Sequence, residues 1–214
     1  LTHSEICALD AAYASIKAEA EALAGPSADQ LNHPALIGLR DSAHHTGFLH
    51  VNALIDRELP GILEKVLATM RGVDRANWGL LAGDGVPAGG NIRVFEYHEY
   101  IKGGEVCDPT HSDGGSLVTM SVLLSDPSDY TGGEFTTLEE DRTSVTGFDG
   151  LKRGDGLVFQ VHAHFLPFSV AFSCVSPQFW ARFAIACWSH FRWEMYGQSE
   201  KWHSVQVVDS GKRT

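Results

Sequence analysis

Apolar residues recur at helical spacing from Phe48 to Arg71, where Leu49, Leu54, Ile55, Leu59, Ile62, Leu63, Val66, Leu67 and Met70 follow a 3.6-residue period. Pro60 interrupts the run and predicts a break or a new first turn, hence one or two helices. Upstream, Ser4 and Glu5 followed by an alanine-rich run to Leu23 predict a capped helix closed by Gly25 and Pro26. After Asn91 the pattern changes to short β-rich runs, opened by Ile92, Val94 and Phe95, and the strands are expected to start there. Ser116 to Leu124 (SLVTMSVLL) is the clearest strand; Gly133 to Thr137 is the next, and Gly156 to Phe159 follows the Gly154-Asp155 turn. Helices followed by a strand-rich half predict an α+β chain, with a helical support region over 1–90 and a helix-buttressed β-sandwich over 91–214. The helices are expected only to brace the sheet, because their polar faces hold no convergent chemistry.

Composition narrows the function classes. A chain of 214 residues with 43% apolar content can bury a full core. Its formal charge of -11, with no dense Lys/Arg stripe, repels a phosphate backbone, so no nucleic-acid partner is expected. Cys7, Cys107, Cys174 and Cys187 show neither close pairing nor a zinc-knuckle spacing. Leu1 to Ala24 has no apolar h-region, so no signal peptide is expected, and cytoplasm and endoplasmic reticulum both stay open. The most apolar stretch, Phe165 to Val175, contains Pro167 and serines and is too short for a membrane span. The expected partner is a protein or small-molecule substrate; oligomeric state is not indicated.

The candidate chemistry lies in His111-Ser112-Asp113, just before the strand at Ser116. An HxD pair on extended backbone sets an imidazole and a carboxylate on one side, within reach of one metal. With one remote histidine, such a pair makes the facial triad of non-haem iron(II) oxygenases, which leaves coordination positions open. In a chain with 11 histidines the isolated motif also arises by chance. His44, His45, His50 and His98 have no partner at ligand spacing and are expected to be surface or satisfied core residues.

Context lifts the motif. Tyr100-Ile101-Lys102-Gly103-Gly104, His111-Ser112-Asp113, Leu123-Leu124-Ser125, Tyr130 to Phe135 and Gly154 to Phe159 follow one another in the order seen in a known family. The chain here resembles the prolyl-4-hydroxylase-like branch of the 2-oxoglutarate and Fe(II) dioxygenase superfamily. A second block, His203 to Arg213 (HSVQVVDSGKR), resembles the family's HxVxxVxxGxR signature. The resemblance implies a double-stranded β-helix, or jelly roll, and metal ligands His111, Asp113 and His203. It implies Arg213 as clamp of the distal carboxylate of 2-oxoglutarate, and Tyr100 as a hydrogen-bonding partner of the same co-substrate, with Tyr97 competing for that role. Fe(II), 2-oxoglutarate and O2 are the implied cofactors and co-substrates, with ascorbate as an optional reductant. The implied reaction hydroxylates a C–H bond, with peptidyl proline as leading substrate and succinate and CO2 as co-products.

The chain departs from the family between Phe159 and His203. Val161 to Gln198 is crowded with Phe, Trp, Ser and Cys and lacks a clear period, so it is read as an atypical insertion. Its removal would join Gln160 to Ser199 and restore the family's spacing, which motivates the hypothesis of a retained intron; spliced transcripts uniformly covering 161–198 would sink it. A competing assignment takes His162 or His164 as third ligand, with Arg182 to Trp188 resembling the family's closing arginine strand. The family's strand after Arg213 is absent, so either the chain is a truncated fragment or the Arg182 segment takes that strand's place. The alternative in a different class is a catalytically inactive pseudoenzyme or binding module whose site the insertion disrupts. A cupin-type binder is a third reading, opposed by the single HxD pair.

Overall fold

The computed structural model describes residues 1–24, 32–33, 36–37, 43–82, 91–104, 113, 115–138, 145–160, 181–189, 203–205 and 208–211. Helix α1 (His3–Ala24) starts with a reciprocal capping box, in which Thr2 Oγ1 accepts from the Glu5 amide at 3.3 Å and the Glu5 carboxylate accepts from the Thr2 amide at 2.7 Å. The cap is therefore Thr2 and not Ser4, because only the residue three before Glu5 can close that ring. Lys65 Nζ donates to the same carboxylate at 2.7 Å and ties α1 to a later helix. The Phe48 to Arg71 period resolves into α2 (Leu54–Glu58) and α3 (Pro60–Asn77), with Pro60 in the first turn of α3, where its missing N–H costs nothing. Beyond α3, the carboxylate of Asp74, 1% exposed, accepts the Leu80 and Leu81 amides at 2.9 Å each and holds the following turn.

The strands are β1 (Asn32–His33), β2 (Leu36–Ile37), β3 (His44–Phe48), β4 (Asn91–Tyr100), β5 (Val118–Leu123), β6 (Tyr130–Gly132), β7 (Phe135–Leu138), β8 (Val145–Gly147), β9 (Gly156–Gln160), β10 (Ala181–Ser189), β11 (His203–Val205) and β12 (Val208–Gly211). Among the described residues they form a seven-stranded antiparallel sheet in the order β1-β2-β3-β4-β10-β5-β9, a three-stranded sheet β11-β7-β8 and a pair β12-β6. This is a mixed helix and strand architecture with antiparallel sheets. The expected start of the strands at Asn91 is corrected: His44–Phe48 already pairs with β4, His44 opposite Tyr100 and Thr46 opposite His98. HHTGF shows no apolar alternation because its burial comes from stacked rings rather than aliphatic side chains.

Period-2 geometry separates the two faces of the large sheet. Phe95 and Tyr97 on β4 and Val118, Met120 and Val122 on β5 join Ile6, Leu9, Tyr13, Val66 and Met70 of the helices in one core. Each such buried side chain contributes about 1.5–3 kcal/mol of transfer free energy. The opposite face contributes Tyr100, Leu123 and Phe159 to a second cluster, shared with Phe135 of β7. The Phe135 and Phe159 rings lie 5.8 Å apart, so the small sheet packs against the inner face of the large one. Strand β10, in the stretch read as an insertion, sits between β4 and β5. No helix among the described residues is long and apolar enough to cross a membrane.

Candidate functional site

Strand β4 ends at Tyr100, and the turn after it is shaped by its glycines. Gly103 has φ +85, a conformation that favours glycine, and a Cβ built on Gly104 would collide with the Ala43 carbonyl. The Ile101 amide donates to that same carbonyl at 2.8 Å, which locks β3 beside the end of β4. The Tyr100-Ile101-Lys102-Gly103-Gly104 motif is thus a steric device that closes β4 and fixes the backbone at Tyr100.

The competing tyrosines lie on opposite faces. Tyr97 turns toward α1, where its hydroxyl donates to Asp10 Oδ1 at 2.6 Å and its ring stacks on Tyr13 at 4.2 Å. Tyr100 belongs to the inner cluster with Leu123, Phe135 and Phe159, and its 1% exposure excludes a hydroxyl dangling in water at a sheet edge. Parity along the strand therefore favours Tyr100 for any ligand held between the sheets.

Two histidines set aside on sequence spacing stand beside it. His44 stacks on Tyr100 with centroids 4.1 Å apart and planes at 12°, and His44 Nε2 lies 2.9 Å from His98 Nδ1. His98 Nε2 in turn lies 3.1 Å from Glu96 Oε2, and Thr46 Oγ1 approaches both rings. Both histidines are buried. Both are thus satisfied core histidines, as expected, and their mutual partnership runs across strands, through the register Thr46 opposite His98 and His44 opposite Tyr100. His50, half-buried, is satisfied by the backbone, its Nδ1 accepting from the Phe95 amide at 3.1 Å. His45 faces the other way, 3.3 Å from Glu99, which also binds Lys17 at 2.9 Å.

Of the metal-ligand candidates, the side chain of Asp113 is described. It is 9% exposed, and its carbonyl accepts the Ser116 amide at 2.9 Å across a tight turn in which Gly115 has φ +85. That turn delivers the chain into β5, which lends Leu123 to the inner face. Along β5 the same face carries buried Thr119 and Ser121, and Ser121 Oγ has no hydrogen-bond partner among the described residues. Orphaned hydroxyls are costly in a closed core and reasonable where a polar ligand sits. His111, His162, His164 and Arg213 lie outside the described residues. Among the described residues no group of three or more His, Cys, Asp or Glu side chains converges as a metal site.

His203 is described as backbone. It opens β11 opposite Thr137 of β7, with Val205 opposite Phe135, so its register position lies on the parity that carries the shared core residue Phe135. Thr137 is 1% exposed. On β10, Ala181 pairs with Tyr100 and Phe183 with His98, whereas Arg182 pairs with Glu99 on the helix-facing parity. Strand β12 pairs with β6, Val208 opposite Gly132, where Gly132 and Gly133 have φ +72 and +70 as a turn requires.

No family model matches the chain, and no curated protein matches it. Among solved structures it is similar to a prolyl-4-hydroxylase from Pseudomonas putida, at 14% identity over 90% of this chain and 89% of that one, with a TM-score of 0.42. It is also similar to an oxidoreductase of the 2OG-Fe(II) oxygenase family from Burkholderia pseudomallei, at 14% identity over 97% of this chain and 73% of that one, with a TM-score of 0.41.

Proposed function

We propose that the chain is an Fe(II)- and 2-oxoglutarate-dependent dioxygenase of jelly-roll fold that hydroxylates a C–H bond, with a peptidyl proline as leading substrate and succinate and CO2 as co-products. The observation that carries this reading is the register of His203 opposite Thr137, on the parity of Phe135, in a sheet that shares its core with Tyr100 and Leu123. The motif order from Tyr100 through Asp113 to the Gly154-Asp155 turn supports it independently.

The donor set fits iron(II). Asp113 supplies a buried carboxylate, and its burial favours a cation at its side over bulk water. His111, two residues upstream on the HxD spacing, and His203 supply neutral imidazoles. Bound there, iron(II) with 2-oxoglutarate and oxygen supplies the oxidising chemistry, while the protein supplies orientation and exclusion of water.

Arg213 neutralises the distal carboxylate of the co-substrate through paired hydrogen bonds from one planar guanidinium. Tyr100 would donate its phenol hydrogen to the same carboxylate, and Ser121 offers a hydroxyl on the same inner face. Leu123, Phe135 and Phe159 keep that space dry. Arg182 competes for the clamp by its central strand, but its register opposite Glu99 sets it on the helix-facing parity. The test is anaerobic Fe(II) titration of the full chain. One iron per chain, lost in Asp113→Ala and retained in Asp126→Ala, is expected; equal iron uptake by wild type and Asp113→Ala removes Asp113 from the metal site.

A further inference from the structure

The polar contacts on the inner face of β3 and β4 form a chain. A carboxylate only accepts, so Glu96 takes the Nε2–H of His98 at 3.1 Å. His98 Nδ1 and His44 Nε2 share the next hydrogen bond at 2.9 Å. Thr46 Oγ1, 3.4 Å from His44 Nε2 and 3.3 Å from His98 Nδ1, closes the group from the side. The His44 ring is thereby held in its plane. Its face lies against the Tyr100 ring at 4.1 Å and 12°, a near-parallel stack, while the ring of His98 stacks on Tyr100 at the longer distance of 6.0 Å.

We infer that His44 is a positioning residue for Tyr100: the Glu96–His98–His44 hydrogen bonds hold the imidazole, and the stacked imidazole holds the phenol in the orientation that binds the co-substrate carboxylate. This inference rests on the reading of Tyr100 given above. In this role His44 acts through its ring stack on Tyr100. The backbone serves the same end, since His44 is the β3 residue paired with Tyr100 and Ala43 anchors the Ile101 amide just beyond it.

The test is 2-oxoglutarate binding to the Fe(II)-loaded full chain under anaerobic conditions, read by calorimetry. His44→Ala is expected to raise Kd about 3- to 10-fold, the range a lost ring stack gives, and His44→Phe, which keeps a ring face, to restore it to near wild type. His44→Ala combined with Tyr100→Phe should bind no more weakly than Tyr100→Phe alone, because His44 works only through that phenol. Wild-type binding by His44→Ala, or losses that multiply in the double variant, overturns the inference. A second measurement needs no co-substrate: two-fold flips of the Tyr100 ring, followed by NMR in the 13C-tyrosine-labelled full chain. Flips slow in wild type and His44→Phe and fast in His44→Ala support the positioning role, and equal flip rates in all three overturn it. Failure of Tyr100→Phe to weaken 2-oxoglutarate binding, with the flip rates as expected, strikes the co-substrate reading and leaves the ring coupling standing.

Discussion

Removing one hydroxyl at a time from Tyr97 and Tyr100 separates structure from function on opposite faces of one strand. Tyr97 is fully buried and its hydroxyl donates to Asp10 Oδ1 at 2.6 Å, so Tyr97→Phe deletes one short charge-assisted hydrogen bond and keeps the ring stack on Tyr13. Such a bond contributes about 1.5–3 kcal/mol, and the partial exposure of Asp10 lets water replace part of it, which leaves about 1–2 kcal/mol. In a chain of this size that lowers Tm by roughly 2–8 °C. Iron-dependent use of 2-oxoglutarate by Tyr97→Phe should match wild type. On the proposed function Tyr100→Phe removes a donor to the co-substrate carboxylate, and a lost bond of about 1.4 kcal/mol or more should raise KM for 2-oxoglutarate about tenfold or more. Thermal unfolding and initial-rate assays on the two variants suffice. A KM increase in Tyr97→Phe with none in Tyr100→Phe would refute the assignment of faces.

Asp74→Ala strands the Leu80 and Leu81 amides and should cost about 2–4 kcal/mol in urea unfolding; Asp74→Asn, keeping one acceptor oxygen, should cost about half as much. The Lys65 ammonium and the Thr2 amide hold the Glu5 carboxyl down at about 2, below the ordinary glutamate value. A depressed carboxyl stabilises the fold above its unfolded pKa, and that contribution is lost as pH falls through the range from about 4.5 to about 2. Glu5→Gln should therefore unfold more easily than wild type at pH 7 and converge with it near the low end of that range; a constant gap at every pH contradicts this. Arg213→Ala should raise KM for 2-oxoglutarate, whereas Arg182→Ala should mainly reduce stability through the helix-facing row at Glu99. The reverse pattern moves the clamp onto β10.

The helices of the N-terminal half were legible because their burial is periodic: Ile62, Leu63, Val66 and Met70 mark one stripe of α3, and Pro60 marks its first turn. SLVTMSVLL was legible as a strand for a different reason, since it is buried on both faces and reads as a nearly continuous apolar run. The sheet partners were not legible. Strand β3 contains two histidines, a threonine and a glycine ahead of Phe48, and its stability depends on rings contributed by β4. The central position of β10 could not be derived from local pattern either, because adjacency in an antiparallel sheet depends on the path of the whole chain. At the candidate site, the HxD spacing and the HSV block single out Asp113 and His203 as candidates, whereas the role of Gly103 and Gly104 in closing β4 emerges only from the structure. The His44–His98 pair was invisible because its hydrogen bond spans two strands far apart in sequence.

The most direct test of the central claim is formation of succinate from 2-oxoglutarate by the full chain under air with Fe(II), measured beside His111→Ala, Asp113→Ala and His203→Ala. The account predicts succinate from the wild type and its loss in each variant. A well-folded, iron-loaded wild type that forms no succinate, or a variant that forms it undiminished, contradicts the triad.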